Sequence, residues 1–209
     1  MTRLGIIPAA GNGTRLGGVL KELLPISDKR TMLKRTVEML EFCDRTIVIT
    51  NSNKIMAHAH DLQDKQVGFV LQHGKEAWGA IKESFPYAGD WNYYLMPDTY
   101  SPGLFDFDYA MNINFGIFAT KTPIKYGVFW NGEIHDKPNI QNRNMLAWGT
   151  IIWSKRVVDF WKEHREIETH TQAFNMAIKE FGYSTYNLPY YFDIATFKDY
   201  KDLLNHVSD

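Results

Sequence analysis

A glycine-rich segment followed by two basic residues is the first feature of this sequence that could do chemistry. The segment Gly11-Asn12-Gly13-Thr14-Arg15-Leu16 follows a short apolar run, and Lys21 comes shortly after it. Glycines allow successive backbone N–H groups to face an anion, and a guanidinium and an ammonium suit phosphate oxygens. The segment lacks the third glycine of a dinucleotide fingerprint and the Gly-Lys-Ser/Thr of a P-loop, so taken alone it favours a plain glycine turn.

Two aspartates, Asp98 and Asp193, are candidate metal ligands. Asp98 ends the apolar stretch YLMP at 94–97, and Asp193 follows YYF at 190–192. Magnesium prefers oxygen ligands and keeps several waters, so one or two carboxylates together with substrate phosphates suffice to hold it. Either aspartate alone could equally cap a helix or form a turn. Their separation in sequence says nothing about their distance in the fold.

Strands and helices alternate in the part of the chain that must position these residues. Apolar and β-branched runs predict strands at 4–9, 46–50, 68–71 and 93–96, and helical spacing predicts helices at 31–42, 51–64 and 77–85. This order predicts parallel strands with helices on both faces, and ligands bind such sheets at the carboxyl ends of the strands. The glycine segment and Asp98 both lie at such ends.

The second half of the chain predicts a different pattern. Strand-like segments lie at 114–120, 126–130, 133–135 and 145–153, an extended segment at 184–193, and helices at 154–164, 171–181 and 197–206. Asn131-Gly132 is a strong hairpin signal. We therefore predict an α/β fold with a Rossmann-like, doubly wound, mixed but mostly parallel sheet and a small antiparallel portion. Because no repeat or linker occurs, we predict one domain over 1–209.

Composition excludes several classes of protein. The formal net charge is −1 and no long basic block occurs, so a nucleic-acid-binding surface is not indicated. The N-terminus is apolar only briefly and predicts neither a signal peptide nor a membrane span. The single cysteine, Cys43, rules out an internal disulfide and predicts a buried structural thiol. We expect a cytoplasmic protein that is a monomer or a homodimer.

Six motifs in a fixed order resemble those of the sugar-1-phosphate nucleotidylyltransferases, such as the glucose-1-phosphate thymidylyltransferases and uridylyltransferases. The string IIPAAGNGTRL at 6–16, followed by KELLP at 21–25, is similar to the family's A-G-G-x-G-T-R-L and P-K-x-L-L-P. The other five are VLQ with WGA at 70–80, YLMPD at 94–98, KYGV with HDKPN at 125–139, AWGTIIWS at 147–154 and YFDIAT at 191–196. The resemblance spans about residues 4–200.

This resemblance implies a magnesium-dependent nucleotidylyltransferase with the fold shared by these enzymes and the GT-A glycosyltransferases. Such an enzyme transfers a nucleoside monophosphate from a nucleoside triphosphate to a phosphorylated small molecule, for example a sugar 1-phosphate, and releases pyrophosphate. The resemblance favours uracil or thymine as the base, with cytosine next. It also implies a nucleotide-binding half at about 1–110 and an acceptor-binding half at about 111–209.

Individual roles follow from the same motifs. Nucleotide binding is implied for Ala9, Ala10, Gly11, Asn12, Gly13, Thr14, Gln72, Gly79, Ala80 and Pro97. Catalytic roles are implied for Arg15 at the departing pyrophosphate, Lys21 at the α-phosphoryl oxygens and Lys137 at the acceptor phosphate. Metal binding is implied for Asp98 and Asp193. The acceptor pocket would contain Gly127, Asp136 and Gly149, with Tyr191 as an aromatic wall.

The chain departs from the family pattern at three of these motifs. Leu20 stands where the family has proline before the lysine, Asp136 stands where it usually has glutamate, and Ala195 stands where it usually has glycine. An aspartate at position 136 has a shorter reach to a sugar hydroxyl. We therefore expect a smaller or non-standard acceptor, which could be a hexose phosphate, a polyol phosphate or phosphocholine.

Two other functions fit parts of the sequence. A metal-dependent glycosyltransferase of the GT-A type could use Asp106-Phe107-Asp108 as a D-x-D motif, although that enzyme would have no pyrophosphate for Arg15 and Lys21 to hold. A nucleotide-sensing module without catalysis would not need the full set of cations and carboxylates. A zinc site at His58 and His60 is disfavoured, because residues i and i+2 of a helix point to different faces.

Overall fold

The computed structural model of the chain describes residues 1–11, 17–74, 76–101, 114–121, 127–136 and 146–207, without the side chain of Ala147. The first half contains strands β1 (Arg3–Pro8), β2 (Pro25–Ser27) and β3 (Arg30–Thr31), helix α1 (Met32–Glu38), β4 (Arg45–Thr50), α2 (Ile55–Asp61), β5 (Gly68–Leu71), α3 (Ala77–Ser84), β6 (Trp91–Leu95) and β7 (Thr99–Tyr100). Short 3-10 helices lie at Lys21–Leu23 and Phe85–Tyr87.

Four parallel strands form one side of the main sheet, in the order β6-β1-β4-β5. Strand β1 pairs with β4 from Leu4↔Arg45 to Pro8↔Ile49, and with β6 on its other edge. Strand β4 pairs in parallel with β5. Because each crossover between these strands contains a helix, this half has the βαβ arrangement that the alternating pattern predicted.

The second half contains β8 (Phe115–Thr120), β9 (Val128–Trp130), β10 (Glu133–His135), β11 (Leu146–Ser154), α4 (Lys155–Glu163), α5 (His170–Phe181), β12 (Ser184–Asn187), β13 (Phe192–Asp193) and α6 (Phe197–Val207). Strand β11 lies antiparallel to β6 along one edge and to β8 along the other. Strand β9 also pairs with the start of β11, and it forms a hairpin with β10.

Strands β8 to β12 of the second half extend the parallel sheet and do not form a sheet of their own. All of them belong to one nine-stranded sheet, in which β12 pairs in parallel with β8 at the far edge. The predicted α/β fold with a mixed, doubly wound sheet is confirmed. The predicted single extended segment at 184–193 consists of two strands, because β12 joins the main sheet whereas β13 pairs with β7 in a separate two-stranded sheet.

Strand alternation divides the core between the two faces of the sheet. Ile6 and Ile49 pack on the face that is covered by α3, α4 and α5, whereas Ile7 and Val48 pack on the face that carries α1. Successive side chains of a strand point to opposite faces, so one apolar strand such as β1 contributes to both cores. The sheet is thereby packed on both of its faces.

Element ends differ from the sequence prediction by a few residues. Helix α1 ends at Glu38 and α2 at Asp61, before the predicted 42 and 64. Asn51 forms an Asx turn with the Asn53 N–H (3.0 Å) in place of a helix cap. The predicted turn between β9 and β10 is confirmed, because Asn131 (φ 52°) and Gly132 (φ 79°) both adopt the left-handed conformation that a type I′ hairpin requires.

Among the helices in the described ranges, none combines the length and the apolar character needed to cross a membrane. The thiol of Cys43 is half-buried against the α1 face of the sheet. Burial raises the pKa of this thiol to about 12, which agrees with a structural role.

Candidate active site

A cavity of about 410 Å³ opens at the carboxyl ends of β1 and β6. Its walls come from both halves of the chain: the ends of β1 and β6, the 3-10 helix at Lys21–Leu23, the starts of α3 and α5, and the segments around β9, β11 and β13. The lining residues are Pro8, Ala9, Gly11, Lys21, Glu22, Ala77, Tyr94, Met96, Pro97, Asp98, Thr99, Gly127, Asp136, Trp148, His170, Tyr191 and Asp193.

The start of the glycine segment is held by side chains from the connection between β4 and α2. Lys54 Nζ donates hydrogen bonds to the carbonyl oxygens of Ala9 (3.3 Å) and Gly11, and Asn51 Nδ2 donates to the carbonyl oxygen of Ala10 (2.7 Å). Three consecutive carbonyl groups are therefore occupied by donors from one neighbouring segment.

This anchoring sets the direction of the backbone N–H groups. No peptide bond in the described residues is cis, and in a trans peptide the N–H points opposite to the C=O. The N–H groups of Ala10 and Gly11 consequently point away from Lys54 and Asn51. The predicted nucleotide-binding residues Asn12, Gly13 and Thr14, together with Arg15, lie outside the described residues.

Lys21 and Asp98 form an ion pair in the wall of the cavity. Lys21 Nζ forms an ion pair with Asp98 Oδ2, and both side chains are about four-fifths buried, with relative exposures of 21% and 17%. Asp98 Oδ1 is buried and has no hydrogen-bond partner among the described residues. Asp98 lies in the short turn between β6 and β7, which places it at the carboxyl end of β6.

The second predicted metal ligand lies beside the first. Strand β13 pairs with β7, so that Asp193 is opposite Thr99, and the Ile194 N–H donates to the Asp98 carbonyl oxygen (3.0 Å). Asp98 and Asp193, which are far apart in the sequence, are thus backbone neighbours at the cavity. The two-stranded sheet of β7 and β13 is the element that brings them together.

These carboxylates fit a magnesium ion. The described residues contain no cluster of three or more His, Cys, Asp or Glu side chains that could chelate a metal by themselves. Magnesium does not require such a cluster, because it is commonly bound through one or two carboxylates and substrate phosphates. The unpartnered Oδ1 of Asp98 is the kind of oxygen that such an ion would satisfy.

Tyr94 lines the cavity close to Asp98. Its side chain is buried and it packs on Trp153 and Phe174. Burial raises the pKa of the Tyr94 hydroxyl, and the nearby Asp98 carboxylate raises it further. The hydroxyl therefore stays protonated and neutral, and it can donate a hydrogen bond but cannot add a charge.

The opposite wall of the cavity is aromatic. The ring of Tyr191 lies directly on Gly149, where an added Cβ would overlap ring carbons, and the indole of Trp148 lies on Gly127 in the same way. Gly149 also sits at a β-bulge, because the pairing of β11 with β8 shifts between Trp148 and Thr150. Tyr191, Trp148 and Gly127 line the cavity, whereas Gly149 is buried behind Tyr191.

Two further polar side chains belong to the lining of the cavity. Asp136 follows β10, and His170 is the first residue of α5. Both line the cavity. Lys137, which the motifs place next to Asp136, lies outside the described residues.

The predicted base-reading motif lies beside the cavity and does not line it. Gln72 Nε2 donates to the Glu76 carbonyl oxygen (2.8 Å), and the same atom approaches the Gly79 backbone. Ala80 is 1% exposed and belongs to the hydrophobic core. The residue of α3 that lines the cavity is Ala77, one helical turn before Ala80. Ala10 is also outside the lining, since its carbonyl oxygen faces Asn51.

The structure therefore gathers nine of the predicted residues around one cavity: Ala9, Gly11, Lys21, Pro97, Asp98, Gly127, Asp136, Tyr191 and Asp193. The sequence reasoning did not select Glu22, Lys54, His58, Trp148 or His170. The spacing of Lys54 and His58, four residues apart after a strand end, is a signal that could have indicated a pair on one helix face. His58 contacts Glu22 and Thr50. Asp106 and Asp108 lie outside the described residues.

Comparisons with known proteins place this geometry in context. Residues 5–97 match the model of the MobA-like NTP transferase domain. No curated protein sequence matches the chain at a significant level.

Solved structures match the whole chain. A putative glucose-1-phosphate thymidylyltransferase from Bacillus anthracis, in complex with sucrose, superposes with a TM-score of 0.83 at 19% identity, over 100% of this chain and 96% of that one. UTP-bound UGPase from Acinetobacter baumannii gives 0.78 at 18% identity, over 99% and 93%. The inositol-1-phosphate CTP transferase of T. maritima gives 0.73 at 16% identity, over 100% and 97%.

These matches confirm the resemblance that the motifs indicated. The family model covers residues 5–97, up to the residue before Asp98, and the fold of the solved structures extends over the rest of the chain. The first half of the chain is therefore similar to the MobA-like NTP transferase domain, and the whole length has the fold seen in sugar-phosphate nucleotidylyltransferases.

Proposed function

We propose that the protein is a magnesium-dependent nucleotidylyltransferase, which transfers a nucleoside monophosphate from a nucleoside triphosphate to a phosphorylated small molecule and releases pyrophosphate. UTP or dTTP is the favoured donor and CTP the next, and the acceptor is a sugar 1-phosphate or a similar compound. One observation carries the proposal. Gly11 at the start of the glycine segment, Lys21, Asp98 and Asp193 line one cavity at the carboxyl ends of β1 and β6.

The neighbouring structures support a nucleotide in this cavity. Solved structures of this fold contain bound UTP, UDP-glucose or GMP-PN, and one of these proteins is a CTP transferase. Because proteins of one fold use different bases, the base must be chosen by local contacts. In this chain those contacts would come from the Gln72 and Ala77 region, which adjoins the glycine segment.

Asp98 and Asp193 are the residues that would hold the magnesium ion. When bound, the ion would neutralise negative charge on the phosphates of the two substrates. Lys21 would add a positive charge at the same place, and the N–H groups of the glycine segment would donate to phosphate oxygens. Arg15 would hold the departing pyrophosphate, and Lys137 would bind the acceptor phosphate.

Little proton transfer is required of the protein. The attacking group is an oxygen of a phosphate monoester, which is already an anion, so catalysis consists of positioning and charge neutralisation. Tyr191 and Trp148 would form the wall against which the acceptor packs. Asp136 and His170 would hydrogen-bond its polar groups, and Tyr94 would remain a neutral donor beneath Asp98.

A pyrophosphate-release assay tests the proposal. UTP, dTTP, CTP, GTP and ATP are each combined with a panel of hexose phosphates, polyol phosphates and phosphocholine, with and without magnesium. We expect one triphosphate and one class of acceptor to give turnover that depends on magnesium. Asp98→Asn should lower turnover roughly a hundredfold or more, because it removes a charge at the reacting phosphates.

The matched control is Asp64→Asn, which removes a carboxylate that is 54% exposed and pairs with Lys34 at the surface. We expect this variant to keep wild-type turnover. Near-normal activity of Asp98→Asn would contradict the proposal. Release of a nucleoside diphosphate from a nucleotide-sugar would favour a glycosyltransferase, and triphosphate binding without turnover would favour a sensing module.

A further inference from the structure

A buried network of charged residues adjoins the cavity and has no role in the chemistry described above. Glu22, Lys54 and His58 have relative exposures of 4%, 4% and 0%. Glu22 Oε1 accepts hydrogen bonds from Lys54 Nζ (2.7 Å) and from His58 Nε2 (3.0 Å). Charged side chains are almost never fully buried unless they are paired, so this network requires an explanation.

The hydrogen bonds define the protonation of each member. Burial would raise the pKa of Glu22, but the hydrogen bonds from His58 and Lys54 together lower it below the ordinary value. An ionised carboxylate only accepts hydrogen bonds, so the proton of His58 is on Nε2. Nδ1 of His58 shares a hydrogen bond with the Thr50 hydroxyl (2.8 Å). The Lys54–Glu22 pair is neutral as a whole.

Stability alone is a poor reason for such a network. Taking two charges out of water costs several kcal/mol per ion by order of magnitude, and well-packed apolar residues of similar volume are often as stable or more stable. The role of the three side chains is therefore better sought in the groups that they position.

Lys54 holds the glycine segment. Its ammonium group has three N–H donors, and their acceptors are the carbonyl oxygens of Ala9 and Gly11 and the carboxylate of Glu22. Asn51 occupies the carbonyl oxygen of Ala10 between them. This pattern turns the N–H groups of Ala10 and Gly11 to the opposite side, where an anion could accept from them.

Glu22 holds Lys21. The two residues are adjacent in the 3-10 helix at Lys21–Leu23, which is closed by hydrogen bonds from the Leu23 N–H to the Leu20 carbonyl (2.9 Å) and from the Leu24 N–H to the Lys21 carbonyl (3.1 Å). Glu22 enters the buried network, whereas Lys21 reaches Asp98. The network thus fixes both the backbone of residues 9–11 and the position of Lys21.

We infer that Glu22, Lys54 and His58 are positioning residues for the triphosphate: they hold residues 9–11, at the start of the glycine segment, and Lys21 in an arrangement that binds the polyphosphate chain. This inference rests on the proposed function, because it assumes that the cavity binds a triphosphate. It assigns the network to triphosphate binding and not to acceptor binding. Its signature is a loss of triphosphate affinity while the Michaelis constant for the acceptor is unchanged.

The first experiment measures triphosphate binding directly, by isothermal titration of Lys54→Met and wild type with the triphosphate that the wild type binds, without acceptor. We expect the dissociation constant to rise roughly ten- to a hundredfold, because misplacement of phosphate-binding groups by about 1 Å has effects of that size. The control is Lys34→Met, which breaks a surface ion pair with Asp64 of the same length (2.7 Å). That variant should bind like the wild type.

Two further variants separate positioning from folding. His58→Gln keeps a donor for Glu22 and should retain triphosphate affinity, whereas His58→Leu should lose part of it. The triple variant E22L/K54M/H58L replaces the whole network by apolar side chains and avoids an unpaired buried charge. Circular dichroism should show it folded, but its triphosphate affinity should stay low, because the carbonyl oxygens of Ala9 and Gly11 still lack their donor.

The outcomes are distinct. If the wild type binds a triphosphate and Lys54→Met or the folded triple variant binds it equally well, the inference is overturned and the proposed function stands. If the wild type binds no triphosphate, both are overturned. Equal losses of triphosphate and acceptor affinity in Lys54→Met would indicate general damage to the cavity and would also contradict the inference.

Discussion

At the scale of single residues, the charge of Glu22 connects the site to folding stability. The lowered pKa of Glu22 means that the folded state favours the ionised carboxylate more than the unfolded chain does. The stability from this group is therefore fully present above the ordinary value of 4.5 and is lost as the pH falls through the folded-state pKa. The charged and polar groups that face the carboxylate are Lys54 and His58.

Glu22→Gln tests this coupling. We expect the free energy of unfolding at pH 7 to fall by about 3–5 kcal/mol, because Lys54 keeps a buried charge without its partner. The difference from wild type should narrow below about pH 4.5, because the carboxylate becomes protonated first in the unfolded chain and then, at lower pH, in the folded protein. Urea unfolding of both proteins between pH 7 and pH 3.5 measures it.

Glu41→Gln is the control for this experiment. Glu41 forms an ion pair with Lys65 but is 62% exposed, so its loss should change the free energy of unfolding by less than about 1 kcal/mol. A Glu22→Gln penalty that stays constant at every pH would show that the carboxylate is not the titrating group.

Residue types and local spacing identified Lys21, Asp98 and Asp193 as candidate ligands of phosphate and metal, but they did not identify the network behind them. Glu22 lies 32 residues from Lys54 and 36 from His58. A partnership over such a distance depends on how β4 and α2 pack beside the glycine segment, and no local pattern contains that information. Glu22 in particular reads as an exposed neighbour of Lys21, because glutamate is rarely buried.

At the scale of elements, the bulge in β11 is the feature that shapes the aromatic wall of the cavity. It lies at Gly149, and the ring of Tyr191 fills the space that a side chain there would occupy. Bulges commonly redirect a strand next to a functional site. Here the bulge allows a residue from the β12–β13 connection to reach the cavity wall.

Gly149→Ala should move the Tyr191 ring. We expect the free energy of unfolding to fall by about 1–3 kcal/mol through overpacking, and the Michaelis constant for the acceptor to rise while triphosphate affinity is kept. Gly68→Ala is the matched control, because an added Cβ in β5 comes no closer than 3.5 Å to another atom. If both variants behave alike in unfolding and kinetics, Tyr191 is not positioned by this contact.

The elements themselves were largely predictable. Buried parallel strands such as β1 and β4 are continuous apolar runs, and the Asn131-Gly132 turn has a defined chemistry, so local sequence was sufficient for both. The two-residue strands β7 and β13 were not predictable, because their pairing depends on a contact between distant segments. That pairing is also what brings Asp193 to Asp98, so the sequence indicated that the two candidate ligands share one site only through the family resemblance.

At the scale of the whole molecule, the two predicted halves share one main sheet and pack against each other. Strands β6 and β11 pair from Leu95↔Thr150 to Trp91↔Ser154 at the centre of the sheet. Trp78 of α3 donates to the Ile167 carbonyl oxygen (2.9 Å) and packs on Trp161. The C-terminal helix α6 returns to the first half, where Tyr200 donates to the Pro25 carbonyl oxygen.

We therefore expect one cooperative unfolding transition for the chain, because neither half can keep its core when the other unfolds. Tryptophan fluorescence reports on both halves, since Trp78 and Trp91 lie in the first and Trp153 and Trp161 in the second. Its midpoint in urea should coincide with that of far-ultraviolet circular dichroism. Trp153→Ala removes a fully buried side chain next to β6 and should lower the stability reported by both signals by about 3–5 kcal/mol.

Separate midpoints, or a Trp153→Ala effect confined to part of the transition, would mean that the nucleotide and acceptor sides fold as independent units. In that case the cavity would lie between two bodies that can move. A single transition means instead that its walls are held by one sheet. Asp98, in the turn after β6, and Tyr191 near β11 then keep a fixed relation. Under the proposed function, triphosphate and acceptor would meet in a geometry that exists before either binds.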